Sequence, residues 1–336
     1  MRATINTIAE MAGVSVTTVD RVLNRRGKVR DRTREQVLRA AAAAGYIDAG
    51  ELPRPAPVLL SFLLPEGESS FINLLTGHLQ ASAEVSRIPA TPRIGYFDRS
   101  RPTELAAQIL ALRGKSEGLG LVAVDVPEVR EAIRQLAESG VPVLNLISDL
   151  TNVPCIGYVG IDNRGAGRLA GQLLSRLLRT DTGKIAVFAG SLAYRGHEER
   201  EMGFRHVLSE ESRLEIVAMR EVRDNVEAMR QEAVALLQRY PDLAGIYSIG
   251  GGNRGIAQAL VETGRAGKVV FIGHELTDYS RQFLLRRIMD VVIDQNPRVE
   301  ARDAIDYLTH AARGEPLPKL PPIRVQAIFR ENIPPV

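Results

Sequence analysis

The sequence predicts an α/β protein, in which a small all-helical head precedes a two-lobed body and each lobe is a parallel sheet flanked by helices. Two observations predict this. Apolar residues recur at helical spacing in the first 48 residues, whereas beyond residue 58 short apolar runs alternate with amphipathic helical stretches. Strands buried on both faces and separated by helices are typical of parallel sheets. The alternation gives five strands in each half of the body, which indicates two similar lobes.

Two short helices across a tight turn account for the start of the head. The apolar face of the first helix is formed by Ile5, Ile8, Ala9 and Ala12. Gly13 ends this helix, since glycine takes the left-handed cap conformation, and Ser15 is the N-cap of the next helix. The apolar positions of that second helix are Val16, Val19, Val22 and Leu23. This arrangement places a second helix in the DNA major groove, the alternative being a small bundle without a partner.

The second helix and the following loop carry the candidate DNA contacts. They are Ser15, Val16, Thr17, Thr18, Asp20, Arg21, Asn24, Arg25, Arg26 and Lys28. Charge supports this interpretation, because residues 1–48 hold nine Lys or Arg against five acids, whereas the rest of the chain holds 34 against 35. Such a cluster is an electrostatic footprint for phosphates. We expect Arg21 to read a guanine edge and its basic neighbours to bind phosphates.

The segments TIAEMAGVSVTTVDRVLN and VRDRTREQVLRAAAAAGY resemble the head of the lactose-repressor (LacI-type) family of bacterial transcription regulators, without a gap. YVGIDNRGAGRLAG at 158–171 resembles the body of the same family, and implies a periplasmic-binding-protein-like fold. The head departs from the family at Asp20, where relatives usually have a small hydroxyl residue. An acid there repels phosphate or accepts from a cytosine amino group, so operator sequences of relatives cannot be carried over.

The predicted strands set the limits of the domains. They are VLLSFLLP (58–65), PRIGYFD (92–98), GLGLVAVD (118–125), PVLNLIS (142–148), CIGYVGID (155–162), KIAVFAG (184–190), LEIVAMRE (214–221), GIYSIGG (245–251), KVVFIGHE (268–275) and MDVVIDQ (289–295). We therefore expect a head at 1–48, a Pro-rich linker at 49–57 and a body at 58–336. The resemblance implies three crossings between lobes, with lobe 1 at about 58–161 plus 296–322 and lobe 2 at about 162–295 plus 323–330.

The linker departs from the family pattern. Relatives usually carry, after the Gly-Tyr that closes the head, a short hinge helix whose leucine wedges into the minor groove. Here Pro53, Pro55 and Pro57 favour an extended chain and oppose a helix past Leu52. We predict little or no hinge helix and a weaker DNA kink, with Leu52 as the only candidate wedge.

Polar side chains fall at the carboxyl ends of the predicted strands, where open parallel sheets bind ligands. The candidates are Asp125, Asp149, His197, Arg200, Asn253, Glu275 and Gln295, with Phe71 as an apolar plate. Together they suit a polyhydroxylated ligand, although each taken singly has a surface ion pair or a helix cap as its alternative. EREMGF resembles the family's arginine before a Gly-aromatic pair, which implies that Arg200 binds sugar hydroxyls.

The resemblance also places Asn253, Glu275 and Gln295 in the family's pocket, with two departures. Arg254 stands where relatives usually have an aspartate, and Glu275 is longer than the usual aspartate. The resemblance therefore does not identify the ligand.

Three other patterns offer alternative chemistry. Residues 250–255 satisfy G-x-G-x-x-G, with Glu275 following, but a dinucleotide fingerprint normally occupies the first βαβ unit of its domain. The run 197–201 lacks the second histidine of a zinc protease helix. The spacing of Asp98 and Asp125, or of Asp149 and Asp162, does not favour catalysis over capping. We expect no cofactor and no metal.

These observations predict a cytoplasmic, homodimeric transcription regulator, expected to be a repressor, that binds a near-palindromic operator under the control of a sugar or polyol effector. The chain has no 18-residue apolar run, no apolar signal core and a single cysteine, Cys155. The alternatives are a periplasmic-type sugar-binding protein, which the basic head disfavours, and a sugar-handling enzyme with an appended head. The enzyme lacks a nucleophile-base, metal or phosphate-loop signature. The effector, the sense of its response and the operator stay open.

Overall fold

The computed structural model describes residues 4–27, 29, 31–48, 56–67, 69–178, 182–222 and 225–335. They form two compact units, Met1–Pro57 and Val58–Val336, and each is described by itself. Most of the predicted linker lies outside the described residues, and so does Lys28. The predictions of a missing hinge helix and of Leu52 as a wedge therefore stay predictions.

The first unit consists of three helices, α1 (Ile5–Ala12), α2 (Val16–Leu23) and α3 (Asp31–Ala43). Both predicted caps between α1 and α2 are confirmed. Gly13 is left-handed with a φ of 61°, and its amide donates to the carbonyls of Ala9 and Glu10. The hydroxyl of Ser15 accepts from the amide of Thr18 at 3.2 Å. Apolar side chains from all three helices form one core, whose fully buried members are Ile8, Val19, Val37 and Ala41.

The first sheet of the body has the strand order β2-β1-β3-β4-β5, and all its strand pairs are parallel. Its strands are β1 (Val58–Pro65), β2 (Ala90–Phe97), β3 (Gly118–Leu121), β4 (Val143–Leu146) and β5 (Gly157–Val159). The helices that connect them are α4 (Ser70–Val85), α5 (Pro102–Leu110) and α6 (Pro127–Glu138). β3, β4 and β5 are shorter than predicted, because the residues after them leave the ladder as loops.

The second sheet has the order β11-β10-β9-β8-β6-β7. Its strands are β6 (Thr182–Ala189), β7 (Arg213–Glu221), β8 (Leu243–Ser248), β9 (Val270–His274), β10 (Val291–Asp294) and β11 (Gln326–Ile328). Its helices are α7 (Asn163–Leu178), α8 (Arg195–Glu211), α9 (Val226–Arg239), α10 (Asn253–Glu262) and α11 (Asp278–Leu285). All ten predicted strands are present. The sequence analysis missed β11, a three-residue strand that pairs antiparallel to β10 and is too short to show a periodic pattern.

The last elements connect the two halves of the body. Helix α12 (Pro297–Arg313) packs into the core of the first sheet through Ala301, Ala304, Ile305 and Leu308. The following β11 belongs to the second sheet. The chain therefore passes from one sheet to the other after β5, after β10 and before β11. Within the described part of the chain, every helix is too short or too polar to span a bilayer.

Candidate functional site

A cleft of about 1120 Å³, counting the open space at its mouth, lies in the body and is lined by residues that follow strands of both sheets. The first sheet contributes Ser148 and the start of α4, and the second contributes the starts of α8, α10 and α11. Six of the eight predicted site residues line this cleft, namely Phe71, His197, Arg200, Asn253, Glu275 and Gln295. The strand-end rule, which selects polar residues at the carboxyl ends of parallel strands, therefore selects mostly residues that lie together in one cleft.

Arg200 is the central cation of the cleft, and its side chain is only 3% exposed. Its Nε donates to Oδ1 of Asn163 at 2.7 Å, and its Nη1 donates to the carbonyl of Ile249 at 3.0 Å. Its Nη2 donates to Oε1 of Gln295 at 3.2 Å. A Cβ at Gly167 would overlap the carbonyl oxygen of Arg200. This glycine therefore lets α7 approach α8 closely enough to hold the guanidinium in place.

Glu275 lies against Arg200 in an unusual conformation. Its φ of 72° is left-handed, which is uncommon for a residue other than glycine and is strained. Oε1 accepts from Nε2 of Gln295 at 2.6 Å and lies 3.8 Å from Nη1 of Arg200. Burial raises the pKa of Glu275 to about 8, although the charge of Arg200 opposes this shift.

The second carboxyl oxygen of Glu275, Oε2, is buried and has no hydrogen-bond partner among the described residues. Buried polar atoms are nearly always hydrogen-bonded, so an unpartnered atom in a cleft needs an explanation. Oδ1 of Asn253 is also buried and without a hydrogen-bond partner among the described residues, while Nδ2 of Asn253 donates to the carbonyl of His274 at 2.8 Å. Both atoms belong to residues that line the cleft, and Oδ1 of Asn253 lies against Gly273 of β9.

Two histidines border this polar set. Nδ1 of His197 lies 2.8 Å from the carbonyl of Ser191. Nε2 of His274 lies 2.8 Å from the hydroxyl of Tyr247, and burial lowers the pKa of His274 well below its ordinary value. His274 is therefore neutral, which leaves Arg200 as the cation at the buried end of the cleft.

Two predicted residues, Asp125 and Asp149, do not line the cleft. Oδ1 of Asp125 accepts from Nε of Arg130 at 2.6 Å, and its Oδ2 accepts from the hydroxyl of Thr151 at 2.9 Å. Asp149 accepts from Nδ2 of Asn145 at 2.8 Å. Both carboxylates brace the loops after their strands, which corrects their predicted place in the pocket.

Several residues at or near the cleft are not among those predicted from the sequence. Glu66, Arg99 and Tyr279 line it, and the strand-end rule would have found Arg99 in the loop after β2. Asn163, which supports Arg200, belongs to the quoted IDNRG segment. Glu300 on α12 is only 1% exposed, and neither of its carboxyl oxygens has a hydrogen-bond partner among the described residues. Burial raises its pKa well above the ordinary value, with a further contribution from Glu275.

The candidate DNA contacts on α2 differ in what their side chains do. Val16, Thr17 and Arg21 are exposed, as are Asn24, Arg25 and Arg26 after or at the end of the helix. The hydroxyls of Ser15 and Thr18 instead lie 2.9 Å from each other within the cap. Nδ2 of Asn24 donates to Oδ1 of Asp20 at 2.7 Å, so this pair presents one linked polar group.

Comparison with known families divides the chain at the same place as the fold. Residues 4–48 match the model of bacterial regulatory proteins of the lacI family, and residues 62–316 match the periplasmic binding protein domain. The second match covers more than half of the chain, so the body belongs to that domain family.

The chain is also similar to individual transcriptional regulators. The chain is 25% identical to the transcriptional regulator DegA of Bacillus subtilis over 243 residues, 71% of either protein. It is 30% identical to the transcriptional regulator CelR of Thermobifida fusca over 220 residues, 62% of this chain and 61% of that protein. The fold resembles the glucose-galactose binding protein GanP of Geobacillus stearothermophilus, with a TM-score of 0.74, 19% identity and coverage of 83% of this chain and 99% of GanP. The protein is therefore a member of the lacI family, a family of DNA-binding transcriptional regulators and not of enzymes, with a periplasmic binding protein domain as its body.

Proposed function

We propose that this regulator is a repressor whose operator affinity is controlled by a small polyhydroxylated effector, a sugar or polyol, bound in the cleft of the body. We further propose that it acts in the cytoplasm as a homodimer on a near-palindromic operator, since two half-sites mirror a two-fold axis. The observation that carries the proposal is the unpartnered Oε2 of Glu275, buried beside Arg200 in the cleft.

The polar set in the cleft supports a ligand with several hydroxyl groups. Glu275 has an oxygen that lacks a partner among the described residues, while Arg200 and Gln295 hold the surrounding hydrogen-bond network in place. Phe71 lines the same cleft and offers an apolar face for the C–H groups of a sugar ring. The name of GanP, a glucose-galactose binding protein with this fold, supports the same ligand class.

The position of the cleft supports a role in regulation. Phe71 and Ser148 come from the first sheet, and Arg200 and Glu275 come from the second. A ligand that contacts both sets stabilises one arrangement of the two lobes. It changes operator affinity only to the extent that it binds that arrangement more tightly than the other.

On the DNA side, we propose that Arg21 reads a base edge and that Arg25, Arg26 and Lys28 bind phosphates. Thr17 and Arg21 are exposed on neighbouring turns of α2, as base contacts require. Asp20 is half-buried and Asn24 is exposed, and this linked pair offers an acceptor to a cytosine or adenine amino group.

The test is a DNA footprint upstream of the neighbouring genes, repeated with a panel of sugars and polyols and followed by calorimetry with each compound that changes it. Glu275→Gln and Asn253→Ala should abolish the response to the compound and keep ligand-free operator binding if it is an inducer. If it is a co-repressor, the same variants should lose the ligand-stimulated binding. Glu198→Gln, an exposed position on α8, is the matched control. Wild-type affinity for the compound in both cleft variants would show that the effector binds elsewhere.

A further inference from the structure

The segment 191–196, which leads from β6 into α8, is tied to lobe 2, the lobe built on the second sheet. The hydroxyl of Ser191 donates to Oε1 of Glu221, at the end of β7, at 2.9 Å and accepts from the amide of Ala193 at 3.3 Å. The carbonyl of Ser191 lies 2.8 Å from Nδ1 of His197, which is in the first turn of α8. The segment therefore has a defined shape and belongs with the second sheet and the start of α8.

The side chain of Tyr194, in the middle of this segment, is nevertheless buried in lobe 1. It is only 5% exposed and belongs to the apolar core of the first sheet, together with Val122 and Val124. Every other buried member of that core lies between residues 58 and 159 or on α12. A tyrosine of lobe 2 thus fills a place in the core of lobe 1. An aromatic side chain removes on the order of 150–250 Å² from water when it is buried, so this contact favours the docked arrangement of the two lobes.

Two hydrogen bonds on either side of this tyrosine cross between the same two lobes. The amide of Asp125, after β3, donates to the carbonyl of Ala193 at 3.3 Å. The amide of Gly196 donates to the hydroxyl of Ser148, after β4, at 3.1 Å. The segment therefore docks on lobe 1 through one apolar side chain and two hydrogen bonds, and all three contacts are made between protein atoms.

We propose that residues 191–196 form a latch between the two lobes, in which Tyr194 is the positioning residue. Its insertion into lobe 1 fixes the start of α8, and with it the cleft residues His197 and Arg200, relative to the lobe 1 side of the cleft. The latch stabilises the docked arrangement of the lobes before an effector binds. It therefore raises the fraction of the protein that is competent to bind, and with it the apparent effector affinity. The docking does not depend on the proposed effector, and only this consequence for affinity rests on the proposed function.

Hydrogen exchange at single amides of the full-length, effector-free protein tests the latch. The amides of Asp125 and Gly196 report docking, since both donate across the lobes. Tyr194→Ala should accelerate the exchange of both by at least about tenfold, because a buried aromatic side chain is lost. The amides of Val122 and Ile249, whose hydrogen bonds stay within lobe 1 and lobe 2, should change by less than about threefold. Tyr194→Phe, which keeps the ring, should leave all four amides near their wild-type rates.

Ser148→Ala tests the same latch if Tyr194→Ala does not fold. It removes the acceptor of the Gly196 amide, so the informative amide is that of Asp125, whose own acceptor is unchanged. Exchange at Asp125 should become about two- to tenfold faster. The matched control is Leu79→Ala, which removes a fully buried side chain that lobe 1 itself contributes to the same core. It should not accelerate Asp125 and Gly196 more than the other amides of lobe 1.

A second measurement follows the lobes directly. Spin labels at Thr103 and Lys268, which are exposed on lobe 1 and lobe 2, are placed in a Cys155→Ser background. The distance between the labels should become longer or more broadly distributed in Tyr194→Ala and should stay at its wild-type value in Tyr194→Phe.

The latch is overturned if Tyr194→Ala accelerates all four amides equally, since the tyrosine would then only stabilise the core. Wild-type exchange at Asp125 and Gly196, or an unchanged label distance, would also overturn it. In Ser148→Ala, faster exchange at Gly196 alone would show a local contact and no latch. Each of these outcomes leaves the effector cleft untouched, because the calorimetry of Glu275→Gln tests that cleft separately.

Discussion

The exposed face of α2 in the head and the buried end of the cleft both carry candidate binding residues, but in opposite physical settings. Val16, Thr17 and Arg21 lie exposed within one helix of eight residues. Arg200 and Gln295 are almost fully buried, come from segments 95 residues apart and are joined by a hydrogen bond. An exposed recognition residue can change without affecting folding, whereas a buried one belongs to the network that stabilises the fold. The same kind of substitution should therefore alter affinity in the head and stability in the body.

The largest expected effect is on the buried side of this comparison. Arg200→Ala removes a charge that three acceptors and Glu275 contact, and leaves those groups unpaired in the interior. Each buried acceptor left unsatisfied costs about 1–3 kcal/mol, so the free energy of unfolding in urea should fall by at least about 3 kcal/mol. Arg205→Ala, one turn further along α8 in an exposed pair with Glu201, should change it by less than about 0.5 kcal/mol. An equal loss of unfolding free energy in the two variants would show that burial does not decide the cost of the substitution.

The sequence alone predicts the head more completely than the cleft, because caps and helical faces depend on residues within one or two turns. Gly13 and Ser15 were predictable for that reason. The strand-end rule found Arg200 and Glu275 but equally selected Asp125, which Arg130 and Thr151 engage outside the cleft. The rule gives the position of a side chain along the chain but not its partner.

Glu300 could not be predicted at all from a strand-end pattern. It is in the first turn of α12, a helix that packs on the first sheet, and yet its pKa is raised partly by Glu275 at the end of β9 in the second sheet. Only the passage of the chain between the sheets after β10 brings these two carboxyl groups near each other. The buried end of the cleft is thus a product of topology as much as of local sequence.

The second prediction concerns the pH dependence of the unfolding free energy, which tests the buried cleft through Glu275. The pKa of Glu275 is raised from 4.5 to about 8 in the folded protein. Folding therefore favours the protonated form, so its contribution to stability is complete below about pH 4.5 and is lost as pH rises through about 8. Wild type should lose up to about 1.4 kcal/mol of unfolding free energy per pH unit more than Glu275→Gln within this window. Urea titrations between these two pH values measure both slopes.

Glu300, whose pKa is raised by burial and by Glu275, is present in both proteins, so the difference between the two pH profiles reports Glu275 together with its effect on Glu300. Parallel pH profiles for the two proteins would show that Glu275 is ionised in the folded state. The unpartnered Oε2 would then belong to a charged carboxylate at neutral pH.

The third prediction is a loss of affinity without a loss of stability. Arg21 is exposed on α2, and a bidentate contact to a base is worth about 1–3 kcal/mol. Arg21→Ala should weaken operator binding by that amount and relax the preference at one base position, with unfolding free energy changed by less than about 0.5 kcal/mol. Arg26→Ala, also exposed, should instead weaken binding to all sequences and reduce its salt dependence. Unchanged discrimination in Arg21→Ala by competition gel shift would remove its base-reading role.

The smallest effect concerns Ser15, which lies on the predicted DNA-binding face but acts as a cap. Its hydroxyl accepts from the amide of Thr18 at 3.2 Å and lies 2.9 Å from the Thr18 hydroxyl. Loss of an N-cap costs about 0.5–2 kcal/mol, whereas asparagine caps a helix about as well as serine. Ser15→Ala should therefore accelerate hydrogen exchange of the α2 amides in the full-length protein, and Ser15→Asn should leave it nearly unchanged. If operator affinity falls only in the variant whose α2 amides exchange faster, Ser15 contributes to DNA binding by stabilising the helix. If Ser15→Asn keeps the protection but loses operator affinity as Ser15→Ala does, the hydroxyl contacts DNA directly in addition to capping the helix.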